Sequence, residues 1–404
     1  MTALHARLAE LATLGATADG IDRALFTVPE RAARERFAGW ARAAGLRVEQ
    51  DRVGNVFARL VGDDDRAPVQ CGSHLDTVRN GGAYDGAYGV IGGLDALERI
   101  ALSGERPPRS LEVVAWAGEE GSRFPLGCLG SAVYAGLTSY DEAAALVGDD
   151  GAAFTDALHG PGGLLDGTPV RDGFPPPAAY LELHIEQGPV MERAGVRLGV
   201  VTAIAGQRRL RVTIDGVPGH AGTIPMPSRA DALCAASDLV LTVERAALDE
   251  DDAVATVGHL VVEPNQTNIV PGRVVFRVDA RSVDDGQVVR IEHRLRIRAH
   301  ELAVERGVRI AVEPLEVRTA VSMDAHLRTI VRAACVPLDP RAMDIASGAG
   351  HDAMCVAQVA PAAMIFVPSI GGRSHVGSER TEPADLELGV EALAAALLAA
   401  ARLP

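Results

Sequence analysis

Val69-Gln70-Cys71-Gly72-Ser73-His74-Leu75-Asp76 is the stretch that decides how this chain is organised. Val69–Gly72 is an apolar run of strand length, and it leads into a histidine and then an aspartate two residues later. Comparable runs recur at Val53–Leu60, Leu111–Ala117 and Ala179–Ile185, and the spacing predicts a helix over Val90–Leu102. Upstream the pattern reads helix, loop, helix. Thr27 stands as an N-cap, Pro29 and Glu30 fall in the first turn, and Gly45 lies just past the end. Strands alternating with helices imply an α/β domain on a mixed or largely parallel sheet. Ligands of such sheets gather where strands end, and His74, Glu119 and His184 fall there.

The middle of the chain has a different grammar. From Arg208 it reads strand (Leu210–Asp215), helix (Arg229–Ala247) and strand (Ala253–Val262), then a turn containing Asn265, Asn268 and Gly272. Strand (Val274–Ala280), helix (Val288–Arg306) and strand (Val308–Leu315) follow. That β-α-β-β-α-β order is a ferredoxin-like unit. Beyond it, Ala325–Ala334 reads as helix, Ala362–Val367 as strand and Asp385–Arg402 as an apolar-faced helix, which returns to the style of the first half. The expected layout is a catalytic domain formed by residues 1–207 and 322–404, interrupted by an inserted domain over 208–321. No period of the solenoid kind is visible.

Composition sets the outer limits. A chain of 404 residues is too long for one ordinary core, and 48% hydrophobic with 23% charged residues describes a globular protein. A net charge of −15 argues against nucleic acid, which needs a basic face. The basic residues are all arginine, which fits biased genomic composition. The five cysteines are scattered without a C-x-x-C pair, as expected of reduced thiols in the cytoplasm. Met1–Leu14 lacks a signal-peptide core, and the apolar Leu393–Ala401 is too short to span a bilayer.

Carboxylates and imidazoles recur near the predicted strand ends: His74 and Asp76, Asp85, Glu119-Glu120, His184-Ile185-Glu186, and His375. Each alone has an ordinary explanation, since lone histidines are commonly satisfied core or surface residues and acidic pairs commonly mark solvated turns. Together they form a mixed nitrogen and oxygen donor set suited to zinc, manganese, cobalt or nickel. Glycines around Asp85 allow backbone to approach an ion closely. Asp76 is either a ligand or the partner that orients the His74 ring.

The same residues carry a resemblance. Gly72-Ser73-His74-Leu75-Asp76-Thr77, Asp85-Gly86, Glu119-Glu120-Gly121-Ser122-Arg123-Phe124 and His184-Ile185-Glu186-Gln187-Gly188-Pro189 are similar to the hydantoinase/carbamoylase family of amidohydrolases. The likeness continues through Gly219-His220-Ala221-Gly222-Thr223-Ile224-Pro225-Met226, Asn268-Ile269-Val270-Pro271-Gly272, Asp279-Ala280-Arg281-Ser282 and Ser374-His375. That family includes N-carbamoyl-L-amino acid hydrolases, β-ureidopropionases and allantoate amidohydrolases, within a larger set of two-metal aminopeptidases and deacylases. The resemblance implies a two-metal, aminopeptidase-like α/β domain with an inserted lid that dimerises. It implies that His74 and His184 hold one divalent ion, that Glu120 and His375 hold the other, and that Asp85 bridges them. Glu119 would be the general base. Ions of this kind lower the pKa of water from 15.7 to about 7, and a pair about 3.5–4 Å apart can share the resulting hydroxide.

For the substrate, His220 resembles a histidine that reaches a dimer partner's active site to stabilise the oxyanion, where the ordinary alternative is an exposed loop residue. Arg281 resembles a carboxylate-gripping arginine, against an edge-strand arginine paired with Asp279 or Asp284. Gln207 and Asn268 resemble substrate-amide contacts, and Gly350-His351 either lines the pocket or supports a ligand from behind. The expected substrate is a small carboxylate-bearing ureido acid or amide, with an N-acyl-amino-acid deacylase or aminopeptidase as the competing class. Ala83, where the family more often has a basic residue, and Phe124-Pro125-Leu126-Gly127-Cys128 depart from the pattern and leave the substrate open.

Overall fold

In the computed structural model every residue is described except Met1, Asp172, Phe174 and Pro404. The chain divides into two compact units, one built from Met1–Thr202 with Met323–Pro404 and the other from Ala203–Ser322.

Across the sheet of the first unit the strands run Arg47–Gln50, Val56–Leu60, Arg109–Trp116, Asp64–His74, Ala179–Ile185, Ala362–Val367 and Gly199–Ile204. Arg109–Trp116, Asp64–His74, Ala179–Ile185 and Ala362–Val367 are parallel neighbours, and the flanking pairings are antiparallel. Parallel strands covered on both faces need apolar side chains throughout. Arg109–Trp116 and Ala179–Ile185 are buried along their whole length, which explains why both were legible as continuous apolar runs.

The strand expected over Val53–Leu60 starts only at Val56. The preceding residues are tied into a loop by Asp51, whose Oδ1 accepts from the N–H groups of Val53 and Asn55 and whose Oδ2 accepts from Asn55 Nδ2. Thr27 occupies the N-cap position of the helix Val28–Ala43, but its hydroxyl donates to the Ala24 carbonyl and caps nothing. Glu30 is buried and accepts from Phe26 N–H and from Arg34. Periodicity missed the strands Arg47–Gln50, Gly199–Ile204 and Met343–Ser347, which are short or carry polar residues.

The helix that matters most for the site is Ala87–Leu102. It begins three residues earlier than its apolar pattern suggested, because Gly86 takes a φ of 62° and turns the chain into the helix immediately after Asp85. The helix lies close against the sheet. A Cβ at Gly89 would stand 2.4 Å from the carbonyl oxygen of Leu183. Together with Ala3–Thr13, Val28–Ala43 and Pro383–Ala401 it shares one apolar core with the strands.

The second unit is a four-stranded antiparallel sheet ordered Arg309–Arg318, Gly206–Asp215, Arg273–Ser282, Val254–Glu263. The helices Ala232–Leu248 and Asp285–Arg306 cover one face, in the expected β-α-β-β-α-β order. Period-two alternation sends Leu210, Val212, Ile214, Val274, Phe276 and Val278 into its core against Leu239, Val243, Leu295 and Leu302. Asp231 and Asp284 cap the helices by accepting N–H bonds from the first turn. Among the described residues no helix is long and apolar enough to cross a membrane.

Gly89→Ala should lower unfolding stability by about 1–3 kcal/mol, because a backbone carbonyl cannot yield as a side chain can. Chemical denaturation followed by tryptophan fluorescence tests this, and an unchanged midpoint would show that the helix–sheet spacing is not tight.

Candidate metal centre

The strand Asp64–His74 ends on His74, Ala179–Ile185 carries His184 at its penultimate position, and Glu119-Glu120 follow Arg109–Trp116. These three strands are parallel neighbours, so their carboxyl ends lie together. Asp85 enters from the start of Ala87–Leu102, and His375 from a loop where it adopts a φ of 59°. Left-handed backbone at a non-glycine residue is strained, and here it lies within the site.

The geometry centres on Asp85, whose residue is 5% exposed. Its Oδ1 lies 3.6 Å from His74 Nε2 and 3.3 Å from His184 Nε2. Its Oδ2 lies 3.3 Å from His375 Nε2, which is itself 3.5 Å from a Glu120 oxygen. Two clusters of donor atoms share Asp85: His74, Asp85 and His184 on one side, and Asp85, Glu120 and His375 on the other, while His74, Glu119 and Glu120 form a third and Glu182, His184 and His351 a fourth. Glu119 points an oxygen at His74 Nε2 from 3.7 Å.

The tautomers follow from the neighbours. His74 Nδ1 donates to the Asp76 carbonyl at 2.9 Å, and His184 Nδ1 donates to the Ile185 carbonyl at 2.9 Å. Each Nε2 then faces Asp85 Oδ1, and His184 Nε2 also accepts from the Gly86 N–H at 3.2 Å. Two acceptors face to face repel unless a proton or a cation stands between them. Burial opposes the His74 and His184 cations, but Asp85 and the other acids outweigh it and raise both groups. Hydrogen bonding to Asp85 raises His375 as well. Burial, joined by Asp85 and Glu119, drives Glu120 well above the usual carboxylate range. Histidine nitrogens aimed at an excess of buried acid form a donor set that fits divalent metal.

The surroundings fix Asp85 in place. Glu379 Oε1 accepts from the Tyr84 and Asp85 N–H groups at 2.8 and 3.0 Å, and Gln187 Nε2 donates to Asp85 Oδ2 at 2.8 Å. Ser374 Oγ lies within hydrogen-bonding distance of both Asp85 Oδ2 and Glu379 Oε2. A Cβ at Gly86 would stand 2.4 Å from the His74 ring, so the residue after Asp85 must be glycine for the histidine to fit. Asp76 does not orient His74 mainly through its carboxylate, which is 3.6 Å from Nδ1. That carboxylate instead accepts from the Glu119 and Glu120 N–H groups, and the main-chain oxygen holds the ring.

His351, following Gly350, is buried, with its ring edge-on to His184 at a centroid distance of 4.6 Å and its Nε2 2.7 Å from Ser347 Oγ. That placement suits support of His184 from behind. Sequence reasoning missed Glu182, Glu379 and the part played by Gln187. Glu182 had a signal: it lies two residues before His184 on one strand, hence on the same face. It is fully buried, accepting from Ser73 Oγ and Ala353 N–H. Glu379 had none, since it comes from an irregular loop.

The remaining candidates lie in the inserted unit and form two pairs. Arg281 sits opposite Gln207 in register, and both donate to Asp279, Arg281 from Nε at 2.9 Å and Gln207 from Nε2 at 2.7 Å. Arg281 belongs to an interior strand of the sheet and not to an edge. His220 pairs with Ile269, and Ala221 N–H donates to the Asn268 carbonyl, which brings His220 and Asn268 side by side. His220 is exposed, its Nδ1 accepting from Gly222 N–H.

The chain is similar to known proteins over most of its length. Residues 71–399 match Peptidase family M20/M25/M40. The chain belongs to that family. Within the M20/M25/M40 group it is 39% identical over 394 residues to an N-carbamoyl-L-amino-acid amidohydrolase of Paenarthrobacter aurescens, covering 96% of this chain and 95% of that protein. It is 37% identical to an allantoate amidohydrolase of Bacillus subtilis, covering 95% and 93%. A crystal structure of a hydantoinase/carbamoylase family amidase from Burkholderia multivorans superposes with a TM-score of 0.93 at 40% identity, covering 99% and 98%. The fold of this M20/M25/M40 chain, an α/β domain with an inserted ferredoxin-like unit, is therefore shared with hydantoinase/carbamoylase amidases.

The acids around His74, His184 and His375 favour their protonated forms, and a metal competes with those protons for the same nitrogens. Binding of zinc or manganese to the apo-protein should release protons and weaken as pH falls through the imidazole range. Titration calorimetry in buffers of different ionisation enthalpy tests this. Affinity independent of pH from 5.5 to about 8 would exclude these histidines as ligands.

Proposed function

We propose that this protein is a binuclear metal-dependent amidohydrolase that cleaves the carbamoyl (ureido) C–N bond of a small carboxylate-bearing substrate. An N-carbamoyl-L-amino acid or a related ureido acid such as allantoate is the substrate class. The observation that carries this reading is Glu119, an acid at the edge of two donor clusters that share Asp85. Full-length similarity to N-carbamoyl-amino-acid and allantoate amidohydrolases supports the choice of bond.

His74, Asp85 and His184 would hold one ion, and Asp85, Glu120 and His375 the other, with zinc, manganese, cobalt or nickel as the matching metals. When bound, such ions supply Lewis acidity toward water and toward the substrate carbonyl. Glu119 accepts the proton of the attacking water on the oxygen that faces His74 and returns it to the departing nitrogen. Burial first, then Asp76 and Asp85, raise Glu119, which suits a group that must take up a proton and give it back. The carbonyl–nitrogen bond breaks, the amine leaves, and the residual carbamate decays to ammonia and carbon dioxide.

His220 would donate to the developing oxyanion in a partner subunit, Arg281 would take the substrate carboxylate in exchange for Asp279, and Gln207 and Asn268 would contact the substrate amide. The role of His220 requires a homodimer formed through the inserted unit. Five scattered cysteines with no C-x-x-C pair support a cytoplasmic setting.

Purified protein reconstituted with zinc, manganese or cobalt should release ammonia from at least one ureido acid. Cleavage of N-acyl amino acids or dipeptides without ammonia from any ureido acid would reassign the protein as a deacylase or peptidase. Glu119→Gln should keep its metal and lose turnover by about 10²–10⁴-fold. Wild-type turnover in that variant defeats the mechanism. Co-expressed His220→Ala and Glu119→Gln subunits should be more active together than either alone, since a mixed dimer keeps one complete site. No complementation would exclude a trans-acting histidine.

A further inference from the structure

The segment Phe124-Pro125-Leu126-Gly127-Cys128 contributes no donor atom to either cluster, yet its last residue grips Glu119 twice. The Cys128 N–H donates to the Glu119 carbonyl at 2.7 Å, and the Cys128 thiol donates to Glu119 Oε1 at 3.3 Å. Cys128 is 2% exposed and sits with a φ of 55° immediately before the short helix Leu129–Tyr134. That left-handed turn lets one residue present both its N–H and its side chain to Glu119.

Glu119 needs such a tether. Its carboxylate lies within reach of His74 and Glu120, close enough to serve as a ligand atom. A general base must remain a free carboxylate, with one defined oxygen turned to the water. With Oε1 held by the thiol, Oε2 is the oxygen left facing His74 Nε2.

We propose that Cys128 is a positioning residue for the general base: its S–H pins Oε1 of Glu119, which keeps that carboxylate out of the metal's donor set and leaves Oε2 to handle the proton. The thiol is suited to this. The contact with Cys355, then burial and Glu119 itself, hold it well above the ordinary thiol range, so it stays a donor at neutral pH. The inference rests on the reading of Glu119 as base.

The test compares Cys128→Ala, Cys128→Ser and Glu119→Gln in the metal-loaded full chain, using the ureido acid that gives most ammonia with wild type. Cys128→Ala should lower kcat about 5- to 20-fold with KM changed less than about twofold, at wild-type metal content and thermal midpoint. Cys128→Ser, which restores a donor at nearly the same place, should recover most of that loss. If Glu119→Gln collapses while Cys128→Ala keeps wild-type kcat, this inference fails and the base survives. If Cys128→Ala and Cys128→Ser lose turnover and metal together, the cysteine is a packing residue and the inference also fails. If Glu119→Gln stays active, the base and its tether fall together.

Discussion

Both oxygens of Asp85 face imidazole nitrogens, Oδ1 toward His74 and His184 and Oδ2 toward His375, and much of the first unit is arranged to hold that carboxylate still. The helix Ala87–Leu102 begins directly behind it, Glu379 takes its N–H, and Gln187 and Ser374 bond its outer oxygen. Such over-determination is needed because the arrangement is unfavourable by itself. A buried carboxylate ringed by imidazole nitrogens and by other acids keeps its geometry only if the frame is rigid.

The frame owes its rigidity to parallel strands. His74, His184 and the Glu119-Glu120 pair arrive from adjacent strand ends, so their mutual positions are set by sheet hydrogen bonding and not by loop conformation. The acids behind the site extend the same logic. Glu182 and Asp352 are buried and anchored by Ser73 and Ser131, and burial pushes both toward their neutral forms. They serve as hydrogen-bonding partners behind the site.

Much of this was legible in the sequence, and the parts that were not share a cause. The ferredoxin-like order of the inserted unit came from alternation between two periods, and its strands lie within a few residues of expectation. Residues at strand ends, such as His74 and His184, were found because strands can be read from their apolar runs. Glu379 and Cys128 were invisible as partners of Asp85 and Glu119, since irregular loops carry no period that places one side chain against another. The capping assigned to Thr27 failed for a related reason: a hydroxyl can bond backward to Ala24 as readily as forward into the helix.

Period, polarity and residue type alone established an α/β chain with a β-α-β-β-α-β insertion, and a set of imidazoles and carboxylates of metal-ligating chemistry. Those features depend on local stereochemistry, which sequence records directly. Which oxygen of Asp85 meets which ring, that Asp76 holds His74 by its main chain, and that a thiol grips Glu119 were decided only by the tertiary structure. Each depends on distances between segments far apart in the chain, and those distances are fixed by packing and by the hydrogen bonding of neighbouring strands.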